Sequence, residues 1–129
     1  MERIERLIGV YDADGSLLGE LSYVVGHALG RRSCPLCDIT HGRLRRRPDF
    51  DAAISGLDVR LDLLHRDEQP TALADLTAGA LPCVVAETRG GRVVLVEAAT
   101  LEACAGDPRA FVDAVHHGAR AQGLLLAAA

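Results

Sequence analysis

Two cysteines, an aspartate and a histidine stand within eight residues of this 129-residue sequence, in the segment Cys34-Pro35-Leu36-Cys37-Asp38-Ile39-Thr40-His41. Cysteines three positions apart can close a small disulfide. A helix that begins near Cys34 would also favour its reactive thiolate, through the helix dipole and the unbonded backbone amides. The segment therefore predicts thiol–disulfide exchange, with Cys34 as the nucleophile and Cys37 as the resolving thiol. Asp38 or His41 would move the proton.

The same two cysteines are also typical of a metal site, because both sulfurs of a CxxC segment can reach one tetrahedral zinc ion. His41 could supply a third ligand one helical turn beyond Cys37, and Cys83 a fourth if the loop at Pro82 packs against the segment. An iron–sulfur site that includes Cys104 ranks below zinc, and a place in the core is the favoured interpretation of Cys104. Redox chemistry and zinc binding stay open as alternatives.

An acidic motif follows the first apolar run of the chain. Residues 7–11 predict a buried strand, and Asp12-Ala13-Asp14-Gly15-Ser16-Leu17 comes directly after it. This order resembles the first motif of the haloacid-dehalogenase phosphatases, and the resemblance implies Asp12 as nucleophile, Asp14 as acid/base and a bound Mg²⁺. All 14 basic residues are arginine, so the chain has no lysine that could bind the phosphate. An Asp-rich turn before a helix is the favoured interpretation.

The composition fits one compact domain over residues 1–129. Hydrophobic residues make up 49% of the chain and aromatic residues only 3%, so we expect an aliphatic core. The net charge of -4 gives no reason to expect nucleic acid or an anionic membrane as a partner. The N-terminal residues lack the apolar run of a signal peptide, and no segment approaches the ~20 apolar residues of a membrane span. We therefore expect a cytoplasmic protein, in which cysteines serve metal binding or catalysis more often than structural disulfides.

The pattern of apolar residues predicts an alternation of strands and helices. The expected elements are a strand at 7–11, helices at 17–29 and 48–54, a strand at 59–63, a helix at 72–78, strands at 81–86 and 92–97, and helices at 100–104 and from 108 onward. Gly90-Gly91 predicts a hairpin turn between the last two strands. Thr100 and Asp107 are the predicted caps of the last two helices, with Pro108 at the first helical position.

This order of elements resembles the thioredoxin-like fold. Leu81-Pro82-Cys83 stands where that family places a cis-proline that opens a strand beside the active site, and Cys34-Pro35-Leu36-Cys37 is similar to the CPxC of glutaredoxins. The resemblance implies a single α/β domain of three layers, with a central mixed sheet of about four strands and helices on both faces. It implies a substrate groove shaped by Pro82 and Cys83, partners that are protein or small-molecule thiols and disulfides, and no cofactor. One departure stands out, because in that family the CxxC directly follows a strand, whereas a predicted helix precedes Cys34 here.

Overall fold

The computed structural model describes residues 2–12, 35–40 and 47–126, with the backbone alone for Asp38. Within these ranges the strands are β1 (Arg6–Val10), β2 (Arg60–Leu64), β3 (Cys83–Thr88) and β4 (Gly91–Val96). The helices there are α1 (Pro35–Thr40), α2 (Pro48–Ile54), α3 (Thr71–Thr77), α4 (Ala98–Ala103) and α5 (Pro108–Ala121), with a short 3₁₀ helix at Arg66–Glu68. No helix in these ranges is both long enough and apolar enough to cross a membrane.

The four strands form one open mixed sheet in the order β2-β1-β3-β4. β1 is parallel to β2 and antiparallel to β3, so that Ile8 lies opposite Asp62 on one side and Val85 on the other. β3 and β4 form an antiparallel hairpin with a register shift between Val84 and Val85. β1 is therefore a central strand, and its apolar residues from Leu7 to Val10 are fully buried.

Each face of the sheet carries its own apolar cluster, because side chains along a strand alternate between the two faces. Leu7 belongs to a large cluster with residues of α1, α2, α4 and α5, including the ring pair Phe50–Phe111, whose centroids lie 5.8 Å apart. Ile8 belongs to a smaller cluster on the opposite face, where Leu73 of α3 covers the sheet. The described residues thus form three layers, with the sheet in the middle.

A row of ion pairs crosses the second face beside the smaller cluster, and we call it the charge belt: Arg60, Asp62, Arg6, Glu87 and Arg92. Arg6 lies at its centre, with its guanidinium 3.2 Å from Asp62 and 3.1 Å from Glu87. The outer arginines complete the row, with Arg60 at 2.8 Å from Asp62 and Arg92 at 2.9 Å from Glu87. The belt joins all four strands by side-chain contacts in addition to the backbone ladder.

The α/β class and the mixed four-stranded sheet expected from the sequence are confirmed, and the described elements begin and end within two residues of the expected positions. Asp107 caps α5 by accepting a bond of 3.0 Å from the Arg109 amide. Two details were wrong. α4 begins at Ala98 after Glu97, so Thr100 lies inside its first turn. The hairpin turn is Arg89-Gly90, because Gly91 already pairs with Thr88. The helix expected at 17–29 lies outside the described residues.

Candidate functional site

The Cys segment is described from Pro35 to Thr40, where it forms α1, which we also call the Cys helix. The helix begins at Pro35, the residue after Cys34 in the sequence, as expected for a proline at the first helical position. Cys37 lies on α1, is half-buried, and packs against the larger cluster. Cys34, His41, Asp14 and the side chain of Asp38 lie outside the described residues, so their expected roles remain predictions.

α1 lies along β1 in the same direction as the strand. Leu36 and Thr40 are four residues apart and share one face of the helix, while Gly9 and Tyr11 are two apart and share one face of the strand. A Cβ added at Gly9 would lie 3.4 Å from Leu36 Cδ2, and the Tyr11 and Thr40 hydroxyls lie 2.9 Å apart. The C-terminal end of α1 therefore lies at the carboxyl end of β1.

The peptide bond between Leu81 and Pro82 is cis. The next residue, Cys83, opens β3 opposite Val10, the last residue of β1. The buried Pro82 therefore lies at the same edge of the sheet as Tyr11 and the end of α1. The cis-proline expected from the sequence is confirmed, and it lies at the carboxyl end of the central strand.

Cys83 is fully buried in the smaller cluster, and its thiol is not in a disulfide. Burial raises its pKa to about 11, which keeps it protonated and unreactive at neutral pH. Cys37 packs against the cluster on the opposite face, so the sheet lies between the two sulfurs. Within residues 2–12, 35–40 and 47–126, no group of three His, Cys, Asp or Glu side chains is arranged to hold a metal ion.

Cys104 lies in the larger cluster, as the sequence predicted. Its Sγ donates a hydrogen bond of 3.3 Å to the Thr100 carbonyl oxygen. Burial, and then the negative charge of Asp107, raise the pKa of this thiol. Cys104 is therefore a protonated core residue in the neighbourhood of α1, which packs against α4.

A polar group follows β2, in a place beside Tyr11 that the sequence pattern alone did not indicate. The ring of His65 lies against that of Tyr11, with centroids 5.2 Å apart, and its Nδ1 lies 2.6 Å from Glu68 Oε1. The His65 backbone amide, and then its ring, hold the pKa of Glu68 below the ordinary value of 4.5. The signal that could have placed His65 beside Tyr11 is the pairing of two parallel strands, because the residues that follow them meet at one edge.

Asp12, the nucleophile of the phosphatase alternative, lies just beyond the end of β1. Its carboxylate is about half exposed and forms an ion pair of 3.3 Å with Arg66. Asp14, the second acid of that motif, lies outside the described residues. The carboxyl edge of β1 and β2 thus gathers Tyr11, Asp12, His65 and Arg66, and Tyr11 links this group to the end of α1.

Comparison with known proteins gives no relative. No protein-family model matches the sequence, no curated protein is similar to it, and no solved structure matches the fold.

Proposed function

We propose that this chain is a thioredoxin-like thiol–disulfide redox protein whose Cys34–Cys37 pair exchanges disulfides with protein or small-molecule thiols in the cytoplasm. The observation that carries the proposal is the helix that bears Cys37, which packs on the central strand β1, while Pro82 lies at the end of that strand, immediately before β3. In thioredoxin-like proteins a proline at the start of this strand lines the groove that receives the substrate.

The sheet supports the same assignment. The order β2-β1-β3-β4, with one parallel and two antiparallel pairings, supports the proposal because the resemblance implies a central mixed sheet of about four strands. The described helices support it too, because they lie on both faces of the sheet, with α1, α2 and α5 on one face and α3 on the other. The departure noted in the sequence concerns residues 11–33, which precede Cys34. The contacts of Leu36 with Gly9 and of Thr40 with Tyr11 nevertheless hold the Cys helix against the first strand.

The proposed reaction moves two electrons. The Cys34 thiolate attacks one sulfur of a substrate disulfide, which forms a mixed disulfide and releases the other sulfur as a thiolate. The Cys37 thiolate then attacks the Cys34 sulfur, which closes the Cys34–Cys37 disulfide and releases the second substrate thiolate. Asp38 or His41 would take up and deliver the protons. A cellular dithiol returns the oxidised pair to the reduced state.

The test is reduction of a protein disulfide, such as that of insulin, by dithiothreitol with and without catalytic amounts of this chain. We expect the wild type to accelerate the reaction, Cys34→Ser to abolish the acceleration, and Cys104→Ala to retain it, because Cys104 is a buried core thiol. Circular dichroism controls for folding. No acceleration by the wild type, or equal acceleration by Cys34→Ser, would refute the proposal.

Two further measurements separate the alternatives. Protein purified without chelator should carry less than one equivalent of zinc or iron, and one bound ion with protected thiols would favour the metal site on Cys34, Cys37 and His41 instead. Magnesium-dependent turnover of an aryl phosphate that is lost in Asp12→Asn would favour the phosphatase.

A further inference from the structure

Tyr11 and Thr40 form a buried polar contact between the end of the first strand and α1. Thr40 is fully buried and Tyr11 is 3% exposed, and their hydroxyl oxygens lie 2.9 Å apart. Leu36 and Ile39, on the same helix as Thr40, are fully buried in the larger cluster. Replacing both partners of a buried hydrogen bond by apolar groups of the same shape is often nearly neutral for stability. An apolar pair of the same shape would therefore stabilise the fold about as well as this hydrogen bond. The specific contribution of the hydrogen bond is to fix the position of the helix.

The position that it fixes is close to the thiol chemistry. α1 has six residues and a length of about 9 Å, and Thr40 follows Cys37 by three residues, a rise of about 4.5 Å. Closing a Cys34–Cys37 disulfide would change the geometry of the first turn, and Thr40 lies within one helical turn of Cys37. The bond between the two hydroxyls is present while Cys37 is a thiol.

We propose that Tyr11 is a positioning residue for the Cys34–Cys37 site, and that its bond to Thr40 stabilises the dithiol state relative to the disulfide state. This inference rests on the proposed function, because it assumes that the pair forms a disulfide. Loss of one hydroxyl removes a bond from the dithiol state, so the pair becomes easier to oxidise.

The chain offers its own spectroscopic probe of this contact. It has no tryptophan and two tyrosines, Tyr11 and Tyr23. In a Tyr23→Phe background all intrinsic tyrosine emission comes from Tyr11. A change in the bond between Tyr11 and Thr40 is then visible in the emission of the intact protein.

The experiment is a titration of the Tyr23→Phe protein with mixtures of reduced and oxidised glutathione. Each disulfide closed consumes one oxidised glutathione and releases two reduced ones. Alkylation and mass spectrometry count the thiols lost, and fluorescence follows Tyr11. We expect the emission to change in step with the loss of two thiols. Thr40→Val should move the equilibrium constant toward the disulfide by about fivefold, within a range of about two- to tenfold, and should abolish the emission change.

The matched control is Thr77→Val. Thr77 is also a fully buried threonine, but it lies on α3 at the opposite face, where its hydroxyl bonds to Gln69 Oε1 and Leu73 O. It should leave the equilibrium constant and the emission change as in the parent. If Thr40→Val fails to fold, Tyr11→Phe tests the same shift by thiol counting alone.

The outcomes separate the two proposals. A parent protein that closes no disulfide would overturn the proposed function and this inference with it. A parent that closes the disulfide with constant emission, and with the same equilibrium constant in Thr40→Val as in Thr77→Val, would overturn the positioning role of Tyr11 and leave the redox function standing.

Discussion

Gly9 lies on the central strand beside Leu36 of the Cys helix, and we expect Gly9→Ala to destabilise the protein. A Cβ at this position would lie 2.8 Å from Leu63 Cδ2 and 3.4 Å from Leu36 Cδ2. Carbon atoms in contact are about 3.5–4.0 Å apart, so Leu63 must withdraw by roughly 1 Å and Leu36 by a few tenths of an ångström. Leu36 is fully buried in the larger cluster and has little room to move, whereas Leu63 is partly buried against the same cluster.

Two opposing effects set the size of the loss. Alanine restricts the unfolded chain more than glycine does, which favours the folded state by about 0.4–1 kcal/mol. Extra carbon in a packed core typically costs about 1–3 kcal/mol. The expected net loss is about 1 kcal/mol in the free energy of unfolding, or about 3–5 °C in Tm for a domain of this size.

Urea denaturation of Gly9→Ala beside Gly56→Ala measures this loss. A Cβ at Gly56 would lie 3.6 Å from Ala53 O, an ordinary contact, so this control should be as stable as the wild type or slightly more stable. Because Gly9→Ala also presses on Leu36, alkylation of the half-buried Cys37 should become faster. Equal stability of the two variants would refute the close packing of Leu63 and Leu36 around Gly9.

Three other predictions use the same kinds of measurement. Gly118→Ala should cost about 2 kcal/mol, more than Gly9→Ala, because its Cβ would meet the backbone oxygen of Leu95 at 2.5 Å and no side-chain rotation can relieve that contact. Hydrogen bonds from Arg92, and then from Arg6, hold the pKa of Glu87 below its ordinary value of 4.5. Glu87→Gln should therefore lower the free energy of unfolding by about 0.5 kcal/mol at neutral pH. This difference should be fully present above the pKa of Glu87 in the unfolded chain, and it should disappear as the pH falls through the lowered pKa of the folded state. Burial raises the pKa of Cys83 to about 11, so at pH 8 its native thiol should react with a disulfide reagent at least about a hundredfold more slowly than in urea.

Each of these predictions has a contrary result. Wild-type stability of Gly118→Ala would mean that α5 lies farther from β4 than described. If Glu87→Gln lowered the free energy of unfolding by the same amount at every pH, the charge belt would not act through ionic bonds. Arg89→Gln is the control for loss of a charge in general, because the Arg89 side chain is 93% exposed. Rapid labelling of native Cys83 would mean that the start of β3 opens readily.

The sequence predicted the features that local pattern encodes. The apolar run at 7–11 gave β1, alternation gave β2, and Asp107-Pro108 gave the start of α5, because caps and periodicity act within a few residues. The position of the cis-proline also followed from a short segment, through its resemblance to a family. These features account for most of the described fold.

The contacts around the candidate site could not be predicted from local sequence pattern. The contact of Tyr11 with Thr40 joins residues 29 apart, and its existence depends on how α1 lies on β1. His65 follows β2 in the sequence, but it is the parallel pairing of β1 and β2 that brings its ring against Tyr11. Cys83 could be assigned to a strand, but the face on which it lies follows from the register with Val10. Register and helix placement are set by tertiary packing, which one sequence does not display.

The central position of β1 has a consequence for the order of folding. Ile8 pairs with Val85, 77 residues later in the chain (85 − 8), whereas the β3–β4 hairpin joins close neighbours. Local pairings form early and distant ones late, because closing a long loop costs entropy before its contacts form. At about 5–20 residues per second, a growing chain exposes β1 for roughly 4–15 s before β3 has been synthesised.

The Cys helix rests on β1 and so is organised only after that strand has been inserted. Until then Cys37 and Cys83 are ordinary thiols of an unfolded chain, open to oxidation. A disulfide between them would trap the chain outside its fold, since the finished sheet holds these residues on opposite faces. We therefore expect refolding yields to fall when oxidant is present from the start, and to recover when it is added after folding.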